Sequence, residues 1–440
     1  MVNRRVIVIG GGASGMMAAG RAAEAGAEVL LLEKTERPGN KILISGKMRC
    51  NLTNTAEIDD FIAMYGTNGR FLYSTFRQYF RDDLLAFLKC QGVATKTERG
   101  GRIFPVSDDA LDVVRAFERY LDSNGVRVKT GDRVTDIMVS EGRVVGVQAG
   151  AEIYPAAVVI VATGGSSYPG TGSSGDGYRM AAAVGHTVTL LRPALVPLVV
   201  KEVERARSMQ GVSLHNVRLT AYQLVADEIS LSLAPDSDSG RGIPGKRPRL
   251  PVIESRMGDM MMTHFGIGGP VTLQMSRAIA GALERGPVSV SIDLKPALSE
   301  KQLRDRLQRD FDQYSKRGYH NILKGLLPQK LIEPFIEMTG IPPERRGHQI
   351  DAEERERLLC LLKALRFNIK SPLPLTSAMV TAGGVSLKEV NPRTMASRLV
   401  SGLYFCGEVL DIDAETGGYN LQAAFSTGHV AGEHAAVTVA

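Results

Sequence analysis

The chain has no tryptophan, and aromatic residues make up only 6% of its 440 residues. Grooves for single-stranded nucleic acid stack bases on interleaved aromatics, and no such pattern is present. Cysteine is scarce. Cys50, Cys90, Cys360 and Cys406 form no C-x-x-C pair and no metal-like spacing. No metal is expected, and the scatter suits a reducing compartment rather than a disulfide scaffold. Long apolar runs are missing too. The longest, residues 156–162, covers seven positions, against about 20 for a membrane span. Arg4-Arg5, an apolar stretch and Ala22-Ala23 superficially copy a signal peptide. Glycines at 10, 11, 12 and 15 interrupt that stretch, which reads better as strand, turn and helix. The expectation is a cytoplasmic protein without membrane insertion.

Charge of one sign is in small excess: 53 basic against 47 acidic residues, a net +6. That suits an anionic small ligand as well as it suits nucleic acid. The densest basic stretch holds Arg241, Lys246, Arg247 and Arg249 among Gly and Pro. It reads as a solvated loop, with contact to a phosphate-bearing partner as the alternative.

What is present is an α/β pattern. Residues 6–9 form a β-branched run, a glycine turn follows, and small residues then continue as a helix to about Gly26. A second strand, 28–32, completes a βαβ unit with a parallel sheet. Residues 71–92 and 111–123 carry helical spacing; 126–147 and 157–162 read as strands. From 196 to 232 the pattern alternates, as in half-buried antiparallel strands, and 287–294 is another strand. Three helical stripes follow, built on Leu303 to Tyr314, Leu323 to Phe335, and Leu358 to Leu365. The strand–turn–helix pattern returns at Leu403. The expected organisation is a dinucleotide domain in two parts, residues 1–192 and 371–440, interrupted by a β-rich segment, 193–297, and a helical one, 298–370.

Gly10-Gly11-Gly12-Ala13-Ser14-Gly15 satisfies G-x-G-x-x-G, follows a strand and opens a helix; Glu33 ends the next strand 18 residues beyond Gly15. Together these contexts make a dinucleotide fingerprint. Gly10 permits the tight turn, Gly12 lets backbone approach a pyrophosphate, and Gly15 lets helix and strand pack closely. The helix start offers N–H donors and partial positive charge to phosphate. Glu33 suits ribose hydroxyls and repels a 2′-phosphate.

Further motifs carry a family resemblance. Gly39-Asn40-Lys41-Ile42, Ser45-Gly46-Lys47-Met48-Arg49-Cys50-Asn51, Ala162-Thr163-Gly164-Gly165 and residues 402–428 resemble the bacterial FAD-dependent oxidoreductases called HI0933-like. The resemblance covers nearly the whole chain. It departs in one place: Lys47-Met48 precede Arg49 where glycines are common. It implies a Rossmann-like FAD domain of the two-dinucleotide-binding-domain flavoprotein type, with a β-barrel-like plus helical insertion. It implies non-covalent FAD, with NADH or NADPH as transient co-substrate.

The resemblance also implies residue roles. Lys34 and Lys41 would face the ribose or pyrophosphate, and Arg49, Cys50 and Asn51 the flavin end. Val134 would present backbone to adenine, and Thr163, Gly164 and Gly165 would close over the cofactor. Gly407 and Glu408 form a second-site signature, with Glu408 on the ribityl chain. Gly417, Gly418, Tyr419, Asn420 and Leu421 would start a helix aimed at the flavin pyrimidine, where its dipole favours the reduced ring. One type of family member is linked to reduction of a steroid-ring C=C bond in bile acids. The expected activity is reduction of an unsaturated or carbonyl small molecule, with nucleic acid not the expected partner. An RNA-modifying flavoenzyme and a non-catalytic flavin sensor are the rivals. The sequence sets no oligomeric state.

Other signals are weaker. Gly170-Thr171-Gly172-Ser173-Ser174-Gly175 repeats the glycine pattern but lacks an acidic strand end at the required distance, so a loop beside the flavin is expected. His264, in a glycine-rich stretch, is a candidate proton donor because imidazole titrates near neutrality; Arg49 is the other catalytic candidate. Arg99-Gly100-Gly101-Arg102 reads as a surface turn or an anion contact. Cys50 lacks a nearby second cysteine for a redox pair, and Met257, Met260, Met261 and Met262 read as adaptable packing.

Overall fold

The computed structural model describes residues 5–226 and 251–440; the basic stretch from Arg241 to Arg249 lies outside them. The chain divides into two compact units, Met1–Ala194 with Leu375–Ala440, and Leu195–Pro374.

The first unit is built on a five-stranded parallel sheet in the order Leu403–Phe405, Val158–Val161, Arg5–Ile9, Glu28–Glu33, Arg127–Thr130. A parallel sheet covered on both faces needs continuous apolar strands. The residues comply: Val6, Ile7, Val8 and residues 158–161 are fully buried. Burying each such side chain contributes about 1.5–3 kcal/mol. The N-terminal and C-terminal parts thus share one sheet.

Helix Ala13–Glu24 follows the first strand, and helix Tyr419–Val439 closes the chain beside it. Glycine sets both the first turn and the helix–helix approach. A Cβ on Gly15 would sit 1.8 Å from the Gly10 carbonyl oxygen, within the turn. A Cβ on Gly432 would sit 2.3 Å from that of Ala18. Strands Val134–Ser140, Arg143–Ala149 and Glu152–Pro155 form an antiparallel meander, turned at Glu141 and Gly142, both left-handed.

The second unit holds a closed six-stranded barrel: Leu198–Val200, Gly266–Gly268, Val252–Met262, Ser213–Tyr222, Val288–Asp293 and Leu365–Pro372. Met260 and Met262 point into its core, while Met257 and Met261 face out. Helices Glu300–Gln313, Gln329–Thr339 and Ala352–Lys363 bury Leu303, Leu307, Phe311, Leu331, Phe335, Leu358 and Leu362.

Three elements differ from the sequence pattern. The stretch 71–92 is two helices, Tyr73–Gln78 and Arg81–Cys90, because Tyr79 is extended and the Asp83 carboxylate accepts the Phe80 N–H at 2.8 Å. A short helix, Val203–Ser208, interrupts the alternating run and buries Ala206. The second helical stripe splits into Tyr319–Leu323 and Gln329–Thr339, with Pro328 before the latter.

Candidate functional site

The fingerprint folds as its spacing dictates. Gly10 is left-handed at φ +101°, and its N–H donates to the Leu32 carbonyl at 2.8 Å. Gly12 caps the first helix with no side-chain cap, and the first turn holds no acidic residue. A Cβ on Gly12 would meet nothing within 4 Å. The helix start therefore presents Ala13 and Ser14 amides to open space, as an anion site requires. Glu33 is buried. Its Oε2 accepts the Gly11 N–H at 2.6 Å, and its Oε1 accepts the Thr35 N–H and Oγ1–H, each at 2.8 Å. Each carboxylate oxygen accepts two bonds, so Oε2 retains one place for a ribose hydroxyl.

The C-terminal helix and the turn before it pack on the start of the first helix. A Cβ on Gly407 would lie 2.3 Å from Ser14 Oγ, and one on Gly428 2.4 Å from the Ser14 carbonyl oxygen. Helix Tyr419–Val439 begins at Gly418, left-handed and without a side-chain cap. Asn420 fixes the preceding loop, accepting the Ala414 N–H at 2.9 Å and donating to the Ala414 and Glu415 carbonyls. Tyr419 is held by Phe61 at 4.6 Å between rings, and its carbonyl accepts from Tyr65 Oη at 2.6 Å. Leu421 is half-buried in that first turn.

Several ionisable groups among the candidate residues already have partners. Lys41 pairs with Glu408 and donates to Ser167 Oγ at 2.8 Å. The other Glu408 oxygen accepts the Thr381 N–H at 2.8 Å and Ser167 Oγ at 3.1 Å. Lys34 pairs with Asp176 at 2.8 Å. Arg49 lies 4.2 Å over the Phe104 ring, bonds Asp108 at 2.8 Å and contacts Glu98. Cys50 is fully buried, and burial pushes its thiol up to about 12; it is a packed thiol, not a thiolate. Val134 is buried at the start of the meander, paired with Ala149.

The turn carrying Arg49 is unusual. Gly46, Lys47, Met48 and Cys50 have φ of +57°, +60°, +66° and +60°. Gly164, at φ +69°, follows Thr163, and a Cβ on Gly165 would lie 2.5 Å from Thr381 Oγ1. Asn51 Oδ1 and Thr163 Oγ1 are buried without a hydrogen-bond partner, as are Thr53 Oγ1 and Gln422 Oε1. Buried polar atoms need partners. Open glycine, uncapped helix starts and these orphaned atoms fit a dinucleotide carrying a polar ring system.

The second glycine loop lies against the first site. A Cβ on Gly172 would fall 3.2 Å from Thr35 and 3.7 Å from Glu33 Oε1. Arg99 to Arg102 form the turn of a hairpin, in which the Asn54 amide donates to the Gly100 carbonyl at 3.0 Å and the Gly417 carbonyl at 3.1 Å. His264 sits in the second unit, exposed, its ring 4.9 Å from that of Phe265. Asp176, Ser167, Thr381, Asn54 and Gln422 escaped the sequence reading. Only Asp176 carried a local signal, directly after the second glycine pattern. Among the described residues no group of His, Cys, Asp and Glu could hold a metal ion, and no helix is long and apolar enough to cross a membrane.

A fingerprint strand and helix, with a C-terminal helix returning to the same sheet, define a Rossmann-type two-domain flavoprotein. Residues 4–434 match the HI0933-like protein Rossmann domain. The chain belongs to that family of FAD-dependent oxidoreductases. It is 35% identical over 435 residues to the 3-dehydro-bile acid delta(4,6)-reductase of Clostridium scindens, covering 98% of this chain and 99% of the relative. It is 29% identical over 431 residues to the ribosomal RNA dihydrouridine synthase of Escherichia coli, covering 96% and 95%. Among solved structures, the Mycobacterium smegmatis Sdh1 complex in its apo form shares the fold, with a TM-score of 0.50 at 16% identity over 100% of this chain and 69% of that one.

Proposed function

We propose that this FAD-dependent oxidoreductase accepts hydride from NADH or NADPH and reduces a C=C bond conjugated to a carbonyl in a small molecule. The observation that carries the reading is the pair of uncapped helix starts, with the C-terminal helix packed at Gly428 on Ser14 of the first. Bound FAD supplies the hydride chemistry. The chain's part is to bind and orient. Gly10, Gly12, Ala13, Ser14 and Gly15 would receive the pyrophosphate, and Glu33 a ribose. Thr163, Gly164 and Gly165 would line the cofactor with Asn51. Residues 418–421 would direct their amides and helix dipole at the ring. Lys41 and Glu408, already paired, would lie along the ribityl chain. Arg49, whose guanidinium does not deprotonate near neutrality, would hold an anion rather than supply a proton.

Both relatives favour this chemistry. A delta(4,6)-reductase saturates an alkene, and dihydrouridine is uridine with a saturated ring bond. The family's reach to ribosomal RNA gives a second reading, an RNA-modifying flavoenzyme. The compartment is read as cytoplasmic, since the described cysteines are all free thiols. The test is NADH and NADPH consumption with a panel of cyclic enones, run beside dihydrouridine analysis of ribosomal RNA incubated with the protein. Enone-dependent consumption is expected. Dihydrouridine formation without enone turnover would transfer the assignment to RNA.

A further inference from the structure

One cluster of charges in the first unit is unexplained by cofactor contact alone. Asp176 begins helix Asp176–Ala183, at the end of the second glycine loop. Its side chain is only 9% exposed, yet it meets two cations from distant parts of the chain. Lys34 Nζ donates to Oδ2 at 2.8 Å, and Arg133 donates to Oδ1 at 2.6 Å and to Oδ2 at 3.2 Å. Ser174 Oγ adds a contact at 3.1 Å. These partners hold the Asp176 carboxyl well below the usual carboxylate range, against the opposing effect of burial.

The cations mark a location. Lys34 follows Glu33, the acidic end of the second strand, and Arg133 precedes Val134, the start of the meander. The loop between them and Asp176 crosses Glu33: the Gly172 Cβ position is 3.7 Å from Glu33 Oε1. Its shape is specified, not incidental. Gly172 and Gly175 are left-handed at φ +101° and +82°, and a Cβ on Gly175 would press to 2.5 Å from Ser166 Oγ. Glu33 is 8% exposed, and the loop lies on the Oε1 side of its carboxylate. A ribose approaching Glu33 from that side meets the loop.

We propose that residues 169–175 form a strap over the ribose end of the dinucleotide site, and that the Lys34–Asp176–Arg133 ion cluster is its latch. The inference rests on the reading of Glu33 as a ribose ligand. Asp176 is a positioning residue here, acting through the strap. A latch has a kinetic signature that a simple contact lacks. Releasing it speeds both uptake and loss of the cofactor, and changes the equilibrium constant less than either rate. A direct ribose ligand, once removed, speeds loss alone.

The experiment is stopped-flow binding of FAD to the deflavinated full-length protein, read by flavin fluorescence, with loss measured by chase. Wild type is compared with Asp176→Asn and Asp176→Glu. In Asp176→Asn both rate constants should rise about fivefold to thirtyfold, the size expected for losing one or two partly buried charge contacts. Asp176→Glu should restore slow exchange in part. Raising salt should leave most of the difference between wild type and Asp176→Asn in place, because a partly buried ion pair is only weakly screened. If Asp176→Asn fails to fold, Arg133→Gln carries the same test. A rise in loss alone, or unchanged rates in a folded variant, overturns the latch while leaving the FAD site intact. Failure of wild type to take up FAD would instead sink both the site and the latch.

Discussion

Gly428, in the C-terminal helix, is seated on the Ser14 carbonyl of the first helix so closely that a Cβ would come within 2.4 Å of its oxygen. The contact joins the two helices whose starts face the candidate site. Gly428→Ala should gain roughly 1 kcal/mol of helix propensity and lose more to forced separation, about 1–3 kcal/mol for overpacking. We expect a lower melting temperature and weaker FAD binding. Gly281→Ala is the control. It lies inside helix Pro270–Leu283 with nothing within 4 Å of a Cβ, and it should raise the melting temperature. Equal effects at both positions would contradict the packing account.

Glu33 organises the turn before it holds any ligand. Glu33→Ala strips the Gly11 and Thr35 N–H groups of their acceptor. Hydrogen bonds to charged groups contribute about 1.5–3 kcal/mol each. FAD affinity, measured by fluorescence titration, should fall at least about tenfold, a loss of about 1.4 kcal/mol. Unchanged affinity would show that the ribose is held elsewhere.

Met48 is 70% exposed and sits at φ +66° in the left-handed turn of residues 46–50. A left-handed non-glycine residue costs about 1–2 kcal/mol, and glycine returns part of that as unfolded-chain entropy. Met48→Gly should stabilise the protein by about 0.5–1 kcal/mol in urea unfolding. A destabilised Met48→Gly variant would mean that the side chain makes a contact worth more than the strain.

His429 gives the fold a pH dependence. It stacks on Tyr79 with 4.2 Å between rings. Burial, with Arg21 beside it, pushes its imidazole down to about 4, against the opposing pull of Glu433, Glu24 and Asp83. The unfolded chain takes up this proton near pH 6.5. Between those values the unfolded state binds more protons, so stability rises with pH. The contribution is complete above about 6.5 and is lost as pH falls through about 4, roughly 3 kcal/mol in all. His429→Phe should flatten the urea midpoint over that window. An unchanged slope would assign the dependence to other groups.

The fingerprint was legible because its parts are local: a β-branched strand, a turn needing glycine and an acidic strand end lie within 29 residues, from Arg5 to Glu33. The return of the chain at Leu403 was legible for the same reason. Asp176, Thr381 and Ser167 were not, because each matters through a partner more than 25 residues away. Spacing carries no trace of such pairs. The break at Tyr79 hid inside a continuous apolar stripe, and only the Asp83 bond to the Phe80 N–H reveals it. Gly428 and Gly432, four apart on one helix face, were visible as residues, but not the backbone they meet.

The most direct test of the account is an anaerobic titration of the purified protein with NADH and with NADPH, followed by a cyclic enone. The account predicts a yellow protein that bleaches with one nucleotide and regains its colour when the enone is added. A protein that takes up no flavin, or a flavin that neither nucleotide bleaches, would contradict it.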